Sequence, residues 1–150
     1  MTTQVRRIEF KVNLAWDGKS GGEVTLASGA TLHVDQPKEF GGEGKHLCPD
    51  DLFFSAIGGC LLTTFLYMHR KSKFNLKGVH ISVNGAVESL SQEGYRVKGA
   101  RVNMNVETDK EGDEKARNCI EMTKRFCHIT RSIEKSIPIQ ILSTVTVKSE

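Results

Sequence analysis

The sequence predicts an α+β protein, with antiparallel sheets wrapped around one central apolar helix. Three observations carry that expectation. Apolar residues alternate at period two near both ends of the chain and again in its middle, as strands with one covered face do. The run Leu52 to Met68 carries no charge and is apolar nearly all round a helix, which calls for protein on every side. Further on, Ala116, Cys119, Ile120, Thr123 and Cys127 fall at helical spacing on a single face. At 150 residues, a single domain spanning 1–150 is the default.

The elements follow in order. Ile8, Phe10, Val12, Leu14 and Trp16 alternate with Glu9, Lys11 and Asn13 and predict a half-buried first strand. Asp17-Gly18-Lys19-Ser20-Gly21-Gly22 ends it in a turn. Val24/Leu26 and Leu32/Val34 face each other across Ala27-Ser28-Gly29-Ala30 as a hairpin. Residues 36–48 read as a loop. Pro49-Asp50-Asp51 opens a helix, because Pro suits the first turn and carboxylates favour its positive end; the helix should reach Arg70. Val79, Ile81, Val83 and Val87 resume alternation. Tyr95 and Val97 begin a strand that changes phase to Val102, Met104 and Val106, which places a bulge near Gly99. Asp109 to Glu114 supplies an acidic helix start, Thr130 to Ile137 reads as a short helix, and Ile139 to Val147 as a closing strand.

Composition excludes several classes. With 38% hydrophobic and 26% charged residues the chain is neither disordered nor low-complexity, and 3 prolines with 14 glycines make no linker. A net charge of +3 is too slight and dispersed to argue for nucleic acid. The run Leu52–Met68, interrupted by Ser55, Gly58, Gly59, Thr63 and Thr64, falls short of the ~20 predominantly apolar residues of a membrane span, so a core helix is expected. MTTQVRRIEFKV alternates instead of forming a signal core, hence a cytoplasmic protein without an export signal. In that compartment Cys48, Cys60, Cys119 and Cys127 are expected to be catalytic or free thiols.

Cys60 follows Gly58-Gly59 inside the apolar helix. Each glycine costs roughly 1 kcal/mol there relative to alanine, so a backbone or a ligand should approach closely. From spacing alone Cys60 is either a small core residue or a functional thiol. Cys127, next to His128 and Arg131, is either a thiol activated by cations or the last residue of a packed face. Cys119 reads as core, while Cys48 in its loop is harder to explain by packing. His46, Cys48, Cys127 and His128 are zinc-ligand types without a Cys-x-x-Cys or His-x3-His pair, so no metal is expected. His33 and His69 read as structural.

Phe40-Gly41-Gly42-Glu43-Gly44, then Pro49-Asp50-Asp51-Leu52, then Gly59-Cys60, resemble the osmotically inducible/organic hydroperoxide resistance (OsmC/Ohr) family. There a Pro-Glu-x-Leu helix start precedes a reactive Cys ten residues after the Glu; here Asp50 precedes Cys60 by ten. The family's second Cys falls on Cys127, and Trp16-Asp17-Gly18 is similar to a first-turn pattern of some members. The resemblance implies an intertwined homodimer with two sites at the interface. It also implies a thiol peroxidase in which Cys60 takes the distal oxygen of an organic hydroperoxide and Cys127 closes a disulfide. An external thiol or dithiol then reduces that disulfide, with no other cofactor. Two departures stand out. Asp50 replaces the family Glu, and the first turn lacks the family Arg; Lys19 is its nearest cation, with His128 and Arg131 as substitutes and Arg131 favoured. Cys48 adds a candidate accessory thiol. The missing Arg also supports a second reading, a noncatalytic redox sensor or small-ligand binder on the same fold.

Overall fold

The computed structural model describes residues 6–149, and the chain divides into two compact units, Met1–Leu52 and Phe53–Glu150. In the first unit β1 (Val12–Trp16), β2 (Gly21–Leu26) and β3 (Thr31–Asp35) form an antiparallel sheet in that order. Trp16 pairs with Gly22 and Val24 with Leu32, so the expected hairpin is present. The turn into β2 is closed by the Asp17 carboxylate, which accepts the Lys19 amide at 2.8 Å, while the Trp16 indole donates to the Lys19 carbonyl at 2.8 Å.

The first strand differs from expectation. It begins only at Val12, because its pairing with β2 runs out at Val12–Leu26, and all five of its residues are exposed. Ile8 and Phe10 are exposed as well. Alternation marks which side chains share a face, and nothing among the described residues of this unit covers that face. Beside the buried Val24, the unit's interior holds a polar latch. The Ser20 hydroxyl donates to the buried Asp35 carboxylate at 2.7 Å, and the Lys45 amide donates to the same carboxylate at 3.0 Å. These donors hold Asp35 below the usual carboxylate range, Ser20 most of all. The Asp35 amide in turn donates to the Leu47 carbonyl, so residues 36–48 are strapped to β3.

Helix α1 (Pro49–Ser72) starts at the predicted proline and runs 24 residues, longer than the uncharged run. By length and composition it therefore does reach the size of a membrane-crossing helix, contrary to expectation. Its Ile57, Cys60, Leu61 and Phe65 are nonetheless buried by protein. In the second unit β4 (Leu76–Leu90) and β5 (Gly94–Thr108) form a long antiparallel hairpin. Ala86 pairs with Gly99 and Val87 with Val97, which leaves Lys98 over as the bulge predicted near Gly99. Helices α2 (Asp113–Phe126) and α3 (His128–Ile133) then lead to β6 (Ile139–Val147).

The α+β class holds, with one departure: β6 runs parallel to β5, Ala100 pairing with Ile139. The two helices form the crossover that a parallel return requires. The last helix also begins and ends earlier than the predicted 130–137. Cys127 is extended, which separates α2 from α3, and Pro138 stops continuation beyond the Ser136 and Ile137 amides, both bonded to the Ile133 carbonyl.

Ala100, Val102, Met104 and Val106 on the covered face of β5 meet α1 through two clusters. One holds Ile57, Cys60, Leu61, Val102 and Cys127; the other holds Phe65, Met104, Val106, Ala116, Cys119 and Ile120. Fully burying a side chain such as Leu61 contributes about 1.5–3 kcal/mol, so this seam organises the unit. The paired glycines are explained only in part. A Cβ on Gly58 would lie 3.0 Å from a Val83 methyl, whereas one on Gly59 would meet nothing within 4 Å among the described residues.

Candidate functional site

Two buried thiols distant in sequence meet in the first of those clusters. Cys60 projects from α1 one turn before Thr64, whose hydroxyl lies 4.0 Å from the Cys60 sulfur. Cys127 occupies the break between α2 and α3. Its amide donates to the Thr123 carbonyl at 2.9 Å, and its own carbonyl accepts the Arg131 amide and the Thr130 hydroxyl, each at 3.1 Å. Those bonds fix the extended conformation that sends its side chain into the core. All four cysteines are free, and Cys60 and Cys127 are 6% and 0% exposed.

Burial pushes the Cys127 thiol up, Thr130 partly opposes this, and Cys60 adds to it as a hydrogen-bonding and charged neighbour. Cys127 is packed, as one of its two sequence readings has it. An imidazole faces the other sulfur. His128 Nδ1 lies 3.5 Å from Cys60 Sγ across 68 positions of sequence. At that distance one hydrogen bond can join sulfur and nitrogen, and transfer of its proton from sulfur to nitrogen is what would convert a thiol–imidazole pair into a thiolate–imidazolium pair.

Several of the remaining candidate residues serve the local backbone. The Arg131 side chain is exposed, and its amide is the group that bonds Cys127. Asp50, Cys48 and Lys19 belong to the first unit. Asp50 is half-buried in the first turn of α1, and Lys19 is exposed in the β1–β2 turn. Cys48, hard to place from sequence, caps the helix start. Its sulfur accepts the Asp51 amide at 3.4 Å while its amide donates to the Asp51 carboxylate at 3.2 Å. That is a reciprocal capping arrangement with sulfur in place of hydroxyl. The His33 and His46 rings lie 5.1 Å apart, and His69 Nε2 is 2.9 Å from the Phe74 carbonyl. Among the described residues, no group of three or more His, Cys, Asp or Glu is placed to hold a metal ion. Sequence reasoning missed Thr64 and Thr130; their i+4 and i+3 spacing from the two cysteines was the available signal.

Fold and thiol pair together define a small α+β protein with a buried dithiol, and likeness to known proteins gives that class a family. The OsmC-like protein family matches residues 42–142, and the chain belongs to it. No curated protein matches the sequence. Among solved structures, an OsmC-like protein from Mycoplasma pneumoniae is similar at TM-score 0.77 and 14% identity, over 96% of this chain and 100% of that one. An organic hydroperoxide resistance protein from Elizabethkingia anophelis, with thiocyanate bound, is similar at TM-score 0.72 and 17% identity, over 99% and 100%. An organic hydroperoxide resistance protein OsmC from Legionella pneumophila follows at TM-score 0.67 and 18% identity, over 95% and 100%. At these identities the likeness is one of fold.

Proposed function

We propose that the protein is a thiol-dependent peroxidase for organic hydroperoxides. The observation that carries this reading is the Cys60–His128 contact at 3.5 Å beside a second free thiol, Cys127. Membership of the OsmC-like family and the names of its Elizabethkingia and Legionella neighbours support the peroxide as substrate.

The imidazole takes the Cys60 proton, and the thiolate attacks the distal peroxide oxygen. The O–O bond breaks, the alkoxide receives a proton, and Cys60 becomes a sulfenic acid. Cys127 then attacks that sulfur as its own proton leaves; water departs and a disulfide remains. An external thiol or dithiol supplies the two electrons that reopen it. His128 thereby takes the place the family gives to its first-turn Arg, ahead of Arg131 and Lys19. The working form is a cytoplasmic homodimer, a partner chain covering apolar surface of α1.

Anaerobic mixing with cumene hydroperoxide tests this reading. Two thiols per chain should be lost, and mass spectrometry should find Cys60 joined to Cys127. If the thiol count does not change, the second reading, a noncatalytic sensor or ligand binder, takes over; the absent Arg in Trp16-Asp17-Gly18-Lys19-Ser20 favours it.

A further inference from the structure

We propose that the reduced Cys60–Cys127 pair is a two-point trap for trivalent arsenicals, reagents in which one arsenic bonds two sulfurs. The proposal shares its cysteines with the peroxidase reading and rests on it only in taking Cys60 as the thiol that reacts first.

The donor set selects the ligand. Both cysteines are free and lie in one cluster walled by Ile57, Leu61, Ala100 and Val102. Among the described residues no group of three or more His, Cys, Asp or Glu is arranged to hold a metal ion, so an ion that demands four ligands does not fit. An arsenic(III) centre carrying one organic group needs two sulfurs and nothing more. Cys48 and Cys119 offer no such pair: the Cys48 sulfur is engaged by the Asp51 amide, and that of Cys119 by the Ser72 hydroxyl at 3.2 Å.

The reaction suits a dry site. An arsenoxide, R–As=O, condenses with two S–H groups to give R–As bonded to both sulfurs, and one water leaves with both thiol protons. Two As–S bonds replace the As=O double bond, and no atom changes oxidation state. Reactants and product are neutral, so the burial that pushes the Cys127 thiol up by penalising its anion imposes no such penalty on the product. Cys60, at 6% exposure the more accessible sulfur, bonds first, and His128 Nδ1 takes its proton and returns it to the departing oxygen. Cys127 then closes the ring intramolecularly. Such linkage strengthens binding by about 10²–10⁴-fold over a single thiol.

The probe is phenylarsine oxide added to the reduced, full-length protein. Intact-mass measurement should show one phenylarsenic adduct per chain, and digestion should map it as a bridge between Cys60 and Cys127. Excess glutathione should leave it in place, and 2,3-dimercaptopropanol should remove it. Cys127→Ser should weaken retention against glutathione by about 100-fold or more, whereas Cys119→Ser should leave it unchanged. The bridge is mapped in the wild-type chain, so the result does not depend on a variant folding. Absence of an adduct, a bridge between any other pair, or glutathione-resistant capture by Cys127→Ser would overturn the proposal. A protein that captures the arsenical without consuming cumene hydroperoxide loses the peroxidase reading alone. One that consumes hydroperoxide without capturing the arsenical loses only this proposal.

Discussion

Asp35 and Cys127 are both buried, yet their units treat an ionisable side chain in opposite ways. In the first unit the Ser20 hydroxyl and the Lys45 amide aim at the Asp35 carboxylate, and ionisation is favoured. In the second, apolar walls surround the Cys127 thiol, and ionisation is disfavoured. The apolar residues of the two units are reversed in the same sense. Val12, Leu14 and Trp16 of β1 face outward, while Ile57, Leu61 and Phe65 of α1 face a packed sheet. The first unit sets a polar latch beside the buried Val24, and the second is held by an extended apolar core. The second is also where the His128 ring meets the Cys60 sulfur.

The sharpest break of that comparison is at Cys60. Cys60→Ser should abolish hydroperoxide-dependent thiol loss; sulfenate found at Cys48 in that variant would move the chemistry to the first unit. His128→Asn should slow the reaction and shift the pH profile of Cys60 alkylation, and an unmoved profile would return the role to Arg131.

Next in size comes packing. Leu61→Ala should cost about 2–5 kcal/mol in urea unfolding, and Leu14→Ala, at 69% exposure, no more than about 0.5 kcal/mol. A large loss at Leu14 would show that another chain covers β1 in solution.

The two units should then fail at opposite ends of the pH scale. Asp35 is held below its ordinary value of 3.8, so its contribution is present above that pH and lost as pH falls through the lower folded value. Cys127 is held above its ordinary 9.0, so its contribution is complete below 9.0 and lost as pH rises toward the higher folded value. Hydrogen exchange read separately over β1–β3 and over β5–α3 should show acid opening the first and base opening the second. Asp35→Asn and Cys127→Ala should each remove one limb.

The smallest effect sharpens the picture of α1. Gly59 has open space around its missing Cβ, so Gly59→Ala should stabilise the helix by up to about 1 kcal/mol, read as a raised Tm. Destabilisation instead would place a second chain against that face.

Much of the molecule was legible in the residues themselves. Pro49-Asp50-Asp51 marked the start of α1, the phase change between Val97 and Val102 marked the bulge at Lys98, and the Asp50–Cys60 spacing marked the family. These are local signals: backbone sterics and side-chain period act over a few residues and survive in the linear order of the chain. Tertiary structure alone decided the rest. It left β1 uncovered despite its strict alternation, turned β6 parallel through the α2–α3 crossover, and set the Asp17 and Asp51 carboxylates to turn and cap. It also brought the His128 ring to the Cys60 sulfur across 68 positions. Burial and proton control depend on what lies across a packed interface, and no periodicity within one segment encodes its distant neighbour.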